Sequence, residues 1–112
     1  MTKEEKEKYL ALFAEYSTET LKEEISAALR YIQNYSSRAR SLRRDKAEYI
    51  AEHERNGRPV KRSTVYDFDA EIHYAEAEVR SARAALALYR RAAELVAQHG
   101  QRSETNAYPV SL

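Results

Sequence analysis

The sequence predicts an all-α protein: a long antiparallel helical hairpin, coiled-coil-like, with a short N-terminal helix packed on its base to form a three-helix bundle. Three observations carry that expectation. Two runs of residues recur at alternating steps of four and three. The first is Leu21, Ile25, Ala28, Ile32, Tyr35, Ala39, Leu42, Lys46, Tyr49 and His53; the second is Phe68, Ile72, Ala75, Val79, Ala82, Leu86, Tyr89, Ala93 and Val96. Such spacing draws one narrow stripe, mostly apolar, down one face of each helix. Between the runs stands Asn56-Gly57-Arg58-Pro59, a breaker short enough to turn the second helix back along the first. Finally, 33% of the residues are charged and Gly and Pro occur only twice each, a profile of long surface helices and not of a sheet.

The elements follow in order. Thr2 can cap a first helix over about residues 3–16, with Glu5 reaching back in a capping box. This helix carries Tyr9, Leu10, Phe13, Ala14 and Tyr16 for a single apolar face. Ser17 or Thr18 then caps a helix over 18–55, about 55 Å long at 1.5 Å per residue. Gly57 supplies its stop and Pro59 prevents its continuation. Ser63 or Asp67 is expected to cap a third helix over 64–99, with Gly100 as its stop and residues 101–112 as a flexible C-terminal tail.

Folding the chain about residue 60 sets Tyr49 opposite Ile72, His53 opposite Phe68 and Leu42 opposite Val79, so apolar residues meet at nearly every layer. A second stripe on the third helix (Ala84, Ala85, Leu88, Ala92, Leu95) is expected to be covered by Leu10 and Phe13 of the first helix. The alternative occupant of that stripe is a second copy of the chain. The bare two-helix tip buries little and is expected to be the more mobile half.

At 112 residues the chain is read as one domain, residues 1–100, with little room for a buried active site. It has no Cys, which excludes disulfides and thiolate metal sites and suits a reducing, cytoplasmic setting. The first eight residues are too acidic for a signal peptide, and no apolar run is long enough to cross a membrane. The net charge of +1 is unevenly spread: residues 38–62 carry nine Lys/Arg against four Asp/Glu, while both flanks are slightly acidic. A polyanion or an acidic surface would dock on that segment.

No Gly-x-Ser-x-Gly elbow or Gly-rich phosphate loop is present, so the chain reads as a non-enzyme with no cofactor. A metal site fails as well. No Glu precedes a His by three positions, and Asp69 with His73 makes two ligands, not a site. His53 is expected to be half-buried near Asp69, with Lys46 extending out of its stripe position.

Two residue types remain for binding. Arginine recognises carboxylate and phosphate through two parallel hydrogen bonds. In the expected register Arg38 and Arg43 pair with Glu76 and Glu78, and Asp45 lies near Arg80. Arg40 and Arg44 are left pointing outward, with Arg58 and Arg62 at the turn. Nine Tyr residues form the second resource; most on the stripe fill the core, whereas Tyr66 and Tyr74 fall off it near the tip.

The partner-binding set is therefore Arg40, Arg44, Arg58, Arg62, Tyr66 and Tyr74. The function read from it is a protein-interaction module: a small adaptor or inhibitor that presents a basic, Tyr-containing helical face to a macromolecular partner, for instance to block a nucleic-acid-binding surface. The alternatives are direct nucleic-acid binding by the Arg-rich strip and a structural homo-oligomer such as a homodimer.

Overall fold

The structure, a computed structural model, describes residues 1–111, with side chains described through Gln98. It contains α1 (Lys3–Phe13), α2 (Thr18–Arg55) and α3 (Arg62–Ser111), and no strand among the described residues. The two long helices pack against each other and α1 packs on α3, giving the hairpin and three-helix cluster that the heptad pattern implies.

Local chemistry sets most of the boundaries. The Thr2 hydroxyl accepts the Glu5 amide N–H at 3.1 Å, and Glu4 and Glu5 place negative charge at the positive end of the α1 dipole. After Phe13 the chain tightens: Glu15 and Tyr16 donate to carbonyls only three residues back, so α1 ends a turn before Ser17. Ser17 caps α2 by accepting the Thr20 amide N–H at 3.1 Å.

At the far end of α2, Gly57 has φ +66°, the left-handed conformation that favours glycine. There Arg58 N–H donates to the His53 carbonyl at 2.9 Å and Gly57 N–H to that of Glu54 at 3.3 Å, a Schellman closure.

The start of α3 departs from expectation. It begins at Arg62, so Ser63 and Asp67 lie inside the helix and neither caps it. The reason is an anchor just upstream: the Lys61 amide N–H donates to the Tyr49 hydroxyl of α2 at 3.1 Å, which fixes the chain where the helix starts. The helix also continues beyond Gly100, placed above as its stop. One glycine weakens a helix by ~1 kcal/mol relative to alanine but does not forbid it. The side chains of the expected tail, 101–112, lie outside the described residues.

The backbone divides into two compact units. The terminal unit, Met1–Leu29 with Ala84–Leu112, is the three-helix cluster. Its buried apolar residues are Leu21, Leu86 and Ala92, and Phe13 of α1 stacks on Tyr89 of α3 with ring centroids 4.6 Å apart. Ala92, in the second stripe, is fully buried, and α1 lies on α3, as expected of a covered stripe.

The turn unit, Arg30–Arg83, is a two-helix pair around a thin seam of Ala39, Leu42, Ala75, Val79 and Ala82. Lys46 bridges to Asp69 at 2.6 Å, Arg43 to Glu76, and Arg38 to Glu71 at 3.7 Å.

The register within the turn unit corrects the expected one. Tyr49 meets Phe68 (ring centroids 6.1 Å) and not Ile72; Arg38 pairs with Glu71, not with Glu76 or Glu78. Asp69 takes Lys46, while His53 sits against Tyr49 with Nδ1 2.9 Å from the Tyr49 carbonyl oxygen. The partner of Tyr49 lies four residues earlier on α3 than expected, about half a heptad. A three-four repeat moved along itself still lays stripe on stripe, so the apolar layers stay matched; Arg43 takes Glu76, as expected, while Arg38 takes Glu71 instead.

Candidate functional site

The turn unit carries two different surfaces on either side of its seam, and they arise from helix geometry. Arg38 and Arg40 are two positions apart, hence about 200° apart around α2. Arg38 therefore faces one flank and Arg40 the other.

The first flank is basic. Arg40 and Arg43 from α2 converge with Arg80 and Arg83 from α3 around a groove of about 260 Å³, with Glu76 its only acidic lining residue. Arg43 is bound to Glu76, which leaves this lining with an excess of positive charge. Arg40 donates from Nη2 to the Ser37 hydroxyl at 3.1 Å, a neutral partner that directs the guanidinium without cancelling its charge. Arg44 is exposed one turn beyond Arg40.

The second flank is aromatic. Tyr31 and Tyr35 lie with ring centroids 4.6 Å apart, and Tyr35 meets Tyr74 edge-on at 6.2 Å and 67°. The Tyr31 hydroxyl donates to the Glu78 carboxylate. That hydrogen bond, with a second to Tyr35, raises the Tyr31 phenol well above its ordinary pKa. Tyr74 is also raised, chiefly by the negative charge of Glu78 and then by Tyr35. Glu78 is thus the common cause, acting through a hydrogen bond on Tyr31 and through its charge on Tyr74.

The six residues singled out from sequence do not form one patch. Arg40 lines the basic groove. Tyr74 belongs to the aromatic flank, across the seam from it. Arg62 and Tyr66 share a shallow surface near the turn with Val60, Val65 and Asp69, and Tyr66 is 72% exposed. Arg58 is exposed within the turn itself.

Arg83 is a groove residue that the sequence reading did not place; Arg80 was expected beside Asp45, and Tyr35 on the apolar stripe, not on these flanks. Arg80 and Arg83 are three apart on one helix face, a visible signal, and folding the chain about residue 60 already sets them close to Arg40 and Arg43.

Comparison with protein-family models, with curated proteins and with solved structures finds no match.

Proposed function

We propose that this chain is a non-catalytic interaction module, a small adaptor or inhibitor, that holds an acidic macromolecular surface on the basic flank of its turn unit. The observation that carries the reading is the convergence of Arg40, Arg43, Arg80 and Arg83 from two helices on one groove lined by a single carboxylate. Ser37 and Glu76 already direct the guanidinium groups of Arg40 and Arg43, which lowers the ordering entropy those two lose on taking up carboxylate or phosphate. Arg44 extends the same face. The partner we favour is a protein with a carboxylate-rich surface, such as one shaped to receive nucleic acid. The chain has no cysteine, and no described helix is long and apolar enough to cross a membrane, which fits a cytoplasmic setting.

The test is capture of partners by the tagged chain from cell lysate, with and without nuclease, beside the double variant Arg40→Glu/Arg80→Glu. Both positions are exposed, so the variant should keep its helical circular dichroism. A stoichiometric protein that survives nuclease and is lost with the variant is the expected result. A partner retained equally by the variant removes the basic flank from the account.

The same four arginines also suit phosphates, which gives direct nucleic-acid binding as the second reading. Four neutralised phosphates would give a log–log salt slope of roughly −3 to −4 on generic duplex. Absence of duplex binding at low salt would end that reading.

A further inference from the structure

We infer that the aromatic flank of the turn unit is a second, separate binding site, a groove for the guanidinium group of an arginine side chain on a protein partner. The groove has a volume of about 610 Å³ and lies between Tyr35 on α2 and Tyr74 on α3. Ala70 and Ala75 line its α3 side, so no bulky side chain fills the space between the rings and the seam. Tyr74 is 58% exposed, which leaves its ring free to receive a planar group. Glu71 stands at the rim, two carboxylate oxygens on the same helix face as the Tyr74 ring.

The chemistry selects a cation. Aromatic faces carry negative electrostatic potential and attract guanidinium, which stacks flat on them while its N–H groups fork onto a carboxylate. Glu78 adds negative charge behind the rings, held in place by the Tyr31 hydroxyl. The charge of Glu78 also raises the Tyr74 phenol.

The groove already contains one guanidinium contact, from Arg38 of the chain itself to Glu71. That pair is long at 3.7 Å and its side chains are 60% and 57% exposed. Exposed pairs of this kind contribute little, so an incoming arginine can take Glu71 from Arg38, provided the Arg38 side chain swings out of the groove lining that it shares with Glu71. The Arg38 contact shows that a guanidinium reaches Glu71 from within the groove.

This inference stands apart from the basic flank, which takes the opposite charge. The test uses Nα-acetyl-arginine methylamide as the probe and Nα-acetyl-citrulline methylamide as its neutral near-isostere, with binding followed by NMR of the tyrosine rings. The arginine probe is expected to shift the Tyr35 and Tyr74 signals and to bind roughly fivefold tighter than the citrulline probe. Tyr74→Phe should retain binding, because the ring remains, and Tyr74→Leu and Glu71→Gln should each weaken it. Arg40→Glu/Arg80→Glu should leave it unchanged, which separates this site from the proposed basic one. Equal affinity for the two probes, no shift at Tyr35 and Tyr74, or full binding by Tyr74→Leu would each overturn the inference.

Discussion

The two units are built from the same kinds of helix yet spend their side chains differently. In the terminal unit, α1 lies on α3 and half-buried Phe13, Tyr16 and Tyr89 cluster where they meet, with exposed Tyr9 stacked on Phe13. Its centre holds large residues: Leu21 is 1% exposed and Leu86 is buried. The turn unit has only two helices, and three of its five buried apolar residues are alanines. Small seam residues let two helices approach closely, but they leave the flanks of both helices in solvent. Those flanks are where the arginines and tyrosines gather. A third helix converts a flank into core; its absence leaves a flank available for a partner.

That contrast predicts a difference in the cost of cavities. Leu21→Ala should destabilise the protein by roughly 3–4 kcal/mol, because Leu21 is 1% exposed and its removal leaves a closed cavity. Leu42→Ala, in the turn unit at 6% exposed, should cost less, about 2–3 kcal/mol, since water and neighbouring side chains can move into a two-helix seam. Urea unfolding of both variants measures the difference. Hydrogen exchange sharpens it: Leu42→Ala should speed exchange within residues 30–83 before it affects the terminal unit. Equal costs and uniform exchange would show that the two units respond as one cooperative body.

Much of this fold is legible in the sequence, because periodicity and capping are local. Thr2, Ser17 and Gly57 each mark a helix end through chemistry within three or four residues, and each serves as read. The heptad stripes likewise carry their own evidence. The register is less legible for a physical reason. An apolar three-four repeat is nearly degenerate under displacement along the helix, so matching layers do not select one alignment. The observed alignment is accompanied by the Lys61 amide donating to the Tyr49 hydroxyl, a contact between residues 12 apart that no spacing rule announces.

Of the two candidate flanks, the aromatic one inherits that problem. Arg40 is legible as an outward arginine, and its neighbours Arg80 and Arg83 follow from folding the chain about residue 60, although their joint groove is not announced by any motif. Tyr74 was visible as an off-stripe aromatic, but its pairing with Tyr35 across the seam was not. Tyr35 had been read only as a core residue because it lies on the stripe. On a two-helix seam, a stripe residue can also form the wall of a groove.

The turn itself gives a smaller test of how the turn unit is held. Gly57 occupies φ +66° with nothing within 4 Å of where a Cβ would lie. Substitution therefore meets backbone strain and no clash. Gly57→Ala should cost about 1–2 kcal/mol, the penalty for an L-residue in the left-handed region, and Gly57→Asn less. Thermal unfolding of the pair checks the order. If alanine and asparagine are equally neutral, the Schellman closure does not set the end of α2, and the Tyr49–Lys61 anchor alone defines the turn.

Alkaline titration probes the same contrast between the units with the smallest effect. Tyr89 of the terminal unit and Tyr31 of the turn unit both hold their phenolic protons above the ordinary pKa, for different reasons. For Tyr89 the main cause is burial, with the charge of Glu24 second. For Tyr31 it is the hydrogen bond to Glu78. In both cases the folded pKa lies above the unfolded value of about 10. The stability each contributes is fully present below that pH and is lost as pH rises through the folded pKa, because the unfolded chain releases its protons first.

Phenolate absorbance followed through the alkaline range should therefore show late-titrating tyrosines in the folded protein. Glu78→Gln should advance the Tyr31 step by removing the carboxylate acceptor while leaving Tyr89 late, and Tyr89→Phe should remove only the burial-driven step. Were Glu78→Gln to advance both steps together, the carboxylate would be acting on the stability of the whole chain and not on its own flank. The division of labour between a closed unit and an open one would then fail at its most sensitive point.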